Sequence, residues 1–294
     1  EILSGLVGSE MCIRDRIRLH RGDDLVLSTS QEPARIAEGE VTTIGCTIPE
    51  VVTALEVGHA VIFDDGAISG RVTEIRTQGE DREAVIAIEH AGPNGTNLAA
   101  YKGINLPETD IPLPSLTEED IAALRFVATH CDIAAVSFIR TPADVSFLYD
   151  TLDDIAAAQE SEDMAQRVRN LGVVLKIETV PAYEQLGTVL LEGMRHEKFG
   201  IMIARGDLAV ELGFERMVQV PGRIMKVAEA AHIPVIMATQ VLETLAKTGL
   251  PSRAEITDAA MHYAPSASCS TRARTSRRPS KFLTGCRASS AARA

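Results

Sequence analysis

Val173-Val174-Leu175-Lys176-Ile177-Glu178 is the stretch on which the fold turns. Three aliphatic residues followed by alternating charged and apolar ones describe a strand that is buried along its length and polar where it stops. Side chains alternate between the faces of an extended chain, so Lys176 and Glu178 point to the same side with one apolar residue between them. A lysine after such a run is costly to desolvate unless it is paired, and Glu178 is the nearest acid. A structural ion pair and a site acting on an anionic ligand both fit this arrangement.

The pattern recurs on either side. Ile133 to Phe138 ends in Ser137-Phe138-Ile139-Arg140, Ile201 to Ala204 runs into Arg205-Gly206-Asp207, and Val235 to Ala238 ends at Thr239-Gln240. Helical stretches fill the gaps, around Ala143 to Ala158, Tyr183 to Met194 and Glu215 to His232. The steps from Phe138 to Lys176, Asp207 and Thr239 are 38, 31 and 32 residues, which suits repeated βα units around a parallel sheet. Strands that turn polar only at their C-terminal ends are how a (β/α)8 barrel displays its chemistry. An open doubly wound sheet shares the alternation, but its nucleotide-binding versions lose support because neither G-x-G-x-x-G nor G-x-x-x-x-G-K-S/T occurs. Just upstream, Thr117 followed by Glu118, Glu119 and Asp120 marks a helix start, and Ile121, Leu124 and Val127 form its apolar stripe.

From Ile17 to about Ala100 the rhythm is that of short strands: Asp24 to Ser28, Ala60 to Phe63, Ala67 to Ile75 and Ala84 to Glu89. Turn sequences such as Asp64-Asp65-Gly66 and Pro93-Asn94-Gly95 separate them, which describes a small β domain. Both ends differ from this body. Glu1 to Arg16 has no sustained period and reads as an artefactual or disordered segment. From Pro265 onward there are seven Arg or Lys and no acid, as in a frame-shifted or disordered tail. The expected division is therefore 1–16, a β-rich lid at 17–101, a partial (β/α) barrel at 102–264, and a tail at 265–294.

The formal charge of −12 argues against nucleic acid or an anionic membrane as partner. No apolar run is long enough to span a bilayer and no secretory signal opens the chain, so a cytoplasmic location is expected. Five cysteines without a C-x-x-C pair argue against a zinc ribbon or a disulfide framework.

Glu178 and Asp207 fall on adjacent strand ends, and Gly206 allows close backbone approach by a ligand. Two carboxylates facing one cleft repel unless a cation lies between them, and such hard oxygen ligands suit Mg2+ or Mn2+. Asp207 is equally suited to capping the next helix or pairing with Arg205. Thr239 offers a hydroxyl to a carboxylate or phosphate, or back-bonds to its own main chain. A cation, two acids and a hydroxyl at one end of successive strands form the layout of metal-assisted phosphoryl or carbonyl chemistry.

Taken in order, these segments resemble the pyruvate kinase family. The motifs are Asp64-Asp65-Gly66, Lys102-Gly103-Ile104-Asn105-Leu106-Pro107 with Leu113-Pro114, Ser137-Phe138-Ile139-Arg140, Lys176-Ile177-Glu178, Ala204-Arg205-Gly206-Asp207-Leu208, Ala238-Thr239-Gln240 with Leu242-Glu243, and Arg253-Ala254-Glu255. They cover roughly residues 17 to 263. The resemblance implies a TIM barrel with an inserted lid, and transfer of a phosphoryl group from phosphoenolpyruvate to ADP, giving pyruvate and ATP, with Mg2+ and K+. It gives Lys176 the charge of the transferring group, Glu178 and Asp207 the divalent ion, and Thr239, Gly206 and Asp207 the substrate carboxylate. Ser137 and Phe138 shape the pocket, and Lys102 reaches the nucleotide phosphates when the lid closes. The complete enzyme is expected to be a homo-tetramer.

Departures are also visible. Nothing upstream of the lid resembles the family's first barrel strands, and Ala209 stands where the family more often has glycine. A polypeptide made as written is expected to be poorly stable and inactive. Other expectations to weigh are a metal-dependent phosphoenolpyruvate or oxoacid barrel lyase, and a non-catalytic truncated binding module.

Overall fold

The computed structural model describes residues 11–12, 16–30, 41–99, 102–111, 113–238, 240–261 and 267–268. Two compact units emerge: Glu1–Ala123 with Val210–Gly213, and Leu124–Ala209 with Phe214–Ala294. Most of both end segments set apart by composition lies outside the described residues, as does Thr239.

The first unit contains β1 (Met11–Cys12), β2 (Ile17–Leu19), β3 (Asp24–Ser28), β4 (Thr42–Cys46), β5 (Ala60–Phe63), β6 (Ile68–Gln78), β7 (Asp81–His90), β8 (Thr96–Leu98) and β9 (Ile104–Asn105). Seven of them form one sheet in the order β1-β4-β3-β7-β6-β5-β9, and β2 pairs with β8. One face supplies the core: Leu25, Leu27, Ile44, Phe63, Ile68 and Ile86 are all fully buried. The expected strands at β3 and β5 have the stated bounds. β6 and β7 run further than Ala67 to Ile75 and Ala84 to Glu89, because Arg76, Thr77, Arg82 and Glu83 stay in the antiparallel ladder. Backbone pairing does not require apolar side chains, so a hydropathy pattern sees only the centre of such a hairpin. Gly79 (φ 68°) forms the two-residue turn with Glu80, supplying the positive φ that strand twist favours there. Gly70 is required by contact, since an added Cβ would run into the Ala87 carbonyl.

The second unit carries β10 (Ile133–Val136), β11 (Gly172–Ile177), β12 (Phe199–Ala204), β13 (Val235–Ala238) and β14 (Ala267–Ser268). All four contacts between neighbours are parallel, and spatial order equals sequence order. That topology is a segment of a (β/α)8 barrel, not a doubly wound sheet, whose order reverses at a switch point. Val173, Val174, Leu175 and Ile177 are buried on both faces of β11, as expected when helices cover a parallel sheet. Together with the β-rich unit this makes an α/β chain holding part of a TIM barrel. Among the described residues no strand pairs with the outer edge of β10, where Ile133 is 60% exposed.

Helices differ from expectation where proline and capping intervene. The Pro142–Ala157 helix begins at a capping box between Thr141 and Asp144. The stretch expected at Tyr183 to Met194 is two helices, Val180–Glu184 and Leu186–Gly193, and starts early because Thr179 accepts from the Ala182 N–H and Pro181 suits a first turn. Glu215 to His232 divides into a 3-10 turn at Phe214–Val218 and a helix at Val220–Ala230, the proline at 221 tolerating only a first-turn position. Glu162–Arg169 is an unanticipated helix. Its polar sequence buries only Ala165 and Val168, so no apolar stripe announces it. Ala267–Ser268, within the segment set apart from Pro265 on, pairs in parallel with Ile236 and Met237.

Candidate functional site

β11 delivers the site. Its register with β12 sets Lys176 opposite Met202 and Ile177 opposite Ile203. Lys176 Nζ lies 2.9 Å from Glu178 Oε2 and donates to Ser137 Oγ at 2.9 Å. The ammonium also sits 5.8 Å from the centre of the Phe138 ring. The second carboxylate oxygen of Glu178, Oε1, accepts the Phe138 backbone N–H at 2.6 Å. That bond depends on a strained backbone: Phe138 has φ 54°, a left-handed conformation uncommon for an aromatic residue. Ser137, Phe138, Lys176 and Glu178 thus form one cluster, made by the loop after β10 and the end of β11.

The Glu178 side chain is fully buried and Lys176 is 14% exposed. Burial pushes the Glu178 carboxyl up to about 7, the nearby Lys176 ammonium opposes that rise, and the Asp207 carboxylate adds to it. The influence of Asp207 brings the second acid within electrostatic reach of the pair. Asp207 lies in the first turn of the Arg205–Leu212 helix, where the unpaired N–H groups favour an acid. Arg205 pairs with Asp258 (2.6 Å) and donates to the Ala238 carbonyl (3.3 Å).

Glu178 Oε2 meets Lys176 as a close charge contact but accepts no well-aligned hydrogen bond. A buried carboxylate oxygen of this kind, with a second acid nearby, suits a hard divalent cation, since magnesium commonly takes one or two carboxylates and completes its shell from water and substrate. Among the described residues no cluster of three or more His, Cys, Asp or Glu is arranged to hold a metal alone.

Lys102 belongs to the first unit, where its ammonium pairs with Asp64 Oδ1 at 2.7 Å. Gly206 occupies the first turn of the Asp207 helix. Three local contacts had no role assigned from the sequence. Glu255 is buried and accepts the backbone N–H groups of Ser252 and Thr244. Its spacing from Ser252, S-x-x-E, is a capping-box signal that could have been recognised. Thr179 donates to the Ile139 carbonyl (2.9 Å), tying the ends of β10 and β11 together. The Phe138 N–H had no sequence signal, because nothing about phenylalanine announces a left-handed backbone.

Five parallel strands in sequence order, with an ammonium, a buried carboxylate and a second acid near their C-terminal ends, define part of a (β/α) barrel of the enzyme type. The family model described as "Pyruvate kinase, barrel domain" matches residues 8–270. Pyruvate kinase of Thermococcus litoralis is 31% identical over 263 residues, covering 88% of this chain and 49% of the relative. Pyruvate kinase of Methylorubrum extorquens is 32% identical over 253 residues, covering 84% and 45%. The crystal structure of a pyruvate kinase from Cryptosporidium parvum superposes with a TM-score of 0.74 at 24% identity, covering 94% of this chain and 53% of that one, a likeness of fold. The chain belongs to the pyruvate kinase family, a family of phosphotransferases. It spans about half the length of the curated relatives it matches.

Proposed function

We propose that the chain carries the substrate-holding face of an enzyme that transfers a phosphoryl group from phosphoenolpyruvate to ADP, giving pyruvate and ATP in glycolysis. The observation that carries this reading is the Lys176 ammonium, fixed 2.9 Å from both Glu178 and Ser137. An ammonium held by a buried carboxylate and a hydroxyl is aimed before any ligand arrives, so it meets a phosphoryl oxygen without reorganisation. Its role is to offset charge on the transferring group, in chemistry that needs positioning more than covalent help. Ser137 steadies Lys176, and the Phe138 ring, 5.8 Å from the ammonium, helps shape the pocket. Backbone near Gly206 and Asp207, with the Thr239 hydroxyl, orients the substrate carboxylate, and Lys102 meets the nucleotide phosphates.

Glu178 and Asp207 would hold Mg2+ or Mn2+, which when bound supplies charge neutralisation for the phosphate ester. K+ is expected in the complete barrel, on residues other than those named here. A cytoplasmic location and a homo-tetramer for the complete enzyme belong to the same proposal; no helix among the described residues is long and apolar enough to cross a membrane. The chain alone is expected to give no turnover, since the outer edge of β10 is unpaired among the described residues.

The test is a chimera that joins this chain to the barrel segments of the Thermococcus litoralis relative that it does not span. Pyruvate formation should require ADP and Mg2+ and should vanish with Lys176→Met. ADP-dependent pyruvate formation untouched by that substitution would overturn the reading.

A further inference from the structure

The turn joining β5 to β6 holds three successive residues in the left-handed region. Asp64 and Asp65 are both left-handed (φ 50° and 53°), and Gly66 follows at φ 90°. Aspartate and glycine are the residues such a turn accepts, and the turn fixes where the Asp64 carboxylate stands. The turn is fixed to the segment carrying Lys102: the Asp64 N–H donates to the Gly103 carbonyl at 3.1 Å, and Phe63 pairs with Ile104 across β5 and β9. Those links deliver Asp64 Oδ1 to 2.7 Å from Lys102 Nζ, with the two side chains 23% and 43% exposed. One side of the ammonium is held while the rest stays open to solvent.

We propose that Asp64 is a built-in competitor for Lys102: its carboxylate occupies the ammonium where an anionic ligand oxygen would, and yields it when a polyphosphate arrives. The inference rests on the reading of Lys102 as a phosphate ligand and adds a competitor to it. A half-exposed pair is suited to exchange, because ion pairs in water shift an equilibrium by no more than about fivefold. A polyphosphate carries several negative charges against the one of Asp64, and its oxygens accept charge-assisted hydrogen bonds as a carboxylate does.

The experiment measures inorganic tripolyphosphate binding to the full chain by titration calorimetry. Asp64→Asn keeps the size of the side chain and tolerates a left-handed backbone, so the turn survives while the competing charge is lost. Binding should tighten about threefold, the scale of an exposed ion pair. Lys102→Met should weaken binding and erase the gain from Asp64→Asn. Unchanged or weaker binding in Asp64→Asn, with Lys102→Met still harmful, overturns the competitor role alone. Lys102→Met without effect overturns the phosphate role of Lys102 and this inference with it. As a second measurement, acetylation of Lys102 followed by mass spectrometry should be faster in Asp64→Asn and slowed by tripolyphosphate; equal rates in variant and parent also overturn the inference.

Discussion

Lys176 Nζ and Glu178 Oε2 lie 2.9 Å apart at the end of one strand, yet the carboxylate is fully buried and the ammonium is not. The pair is asymmetric in consequence. Lys176 keeps a route to solvent or ligand, whereas Glu178 depends on its neighbours for every compensation of its charge, and burial outweighs them.

Stability should therefore respond to pH through Glu178. Its folded carboxyl is raised to about 7, whereas an unfolded glutamate titrates near ~4.3. Between those values the folded chain keeps a proton that the unfolded chain has lost. The group's contribution is full below the unfolded value and is lost as pH rises through the folded one. At ~1.4 kcal/mol per pH unit the whole effect is at most about 4 kcal/mol. Glu178→Gln cannot ionise, so its denaturation midpoint should gain on the parent's between pH 5 and 8. A constant gap over that range would sink the idea.

Glu255 should behave in the opposite sense. Burial tends to raise its carboxyl, but the Ser252 and Thr244 backbone N–H groups outweigh burial and hold it below the usual range. Its contribution is present above the unfolded value and lost as pH falls through the folded one. Glu255→Gln should cost about 1 kcal/mol at neutral pH, the scale of a lost cap. That cost should shrink in acid, and a thermal melt showing it undiminished at pH 3 would contradict the assignment.

At position 138 the usual ranking of small residues should reverse. Phe138 is left-handed, where an L side chain costs about 1 kcal/mol or more. Phe138→Gly and Phe138→Ala both lose the ring, but only glycine relieves the backbone. Glycine should be the more stable by about that amount in urea unfolding; alanine equal or better would mean the backbone there is unstrained.

Gly193 is required for a different reason, contact with a neighbour. An added Cβ would run into the Phe199 ring, and the Gly193 carbonyl accepts the buried Tyr149 hydroxyl at 2.8 Å. Gly193→Ala should cost about 1 to 3 kcal/mol, as overpacking does. Phe199→Leu should relieve part of that cost in a double-mutant cycle, and strict additivity would place the strain elsewhere.

Much of this was legible in the chain. The apolar runs with polar ends gave four strands of the parallel sheet, and the period-two placement of Lys176 and Glu178 put both on one side of it. Asp207, expected at the end of the neighbouring strand, lies three residues past it in the first turn of the Arg205–Leu212 helix. Hydropathy failed where structure rests on the backbone: the polar arms of the β6–β7 hairpin, the polar Glu162–Arg169 helix, and the pairing of Ala267–Ser268 with β13.

The chain by itself determined which residues end buried strands, because desolvation and side-chain alternation act locally and leave a period in the sequence. What only the tertiary structure decided is how those ends meet: that Ser137 Oγ accepts a hydrogen bond from the Lys176 ammonium, that Phe138 twists to give its N–H to Glu178, and that Asp64 holds Lys102. Each of these joins residues on separate elements. Their distances follow from register and loop conformation, which no local pattern of amino acids encodes.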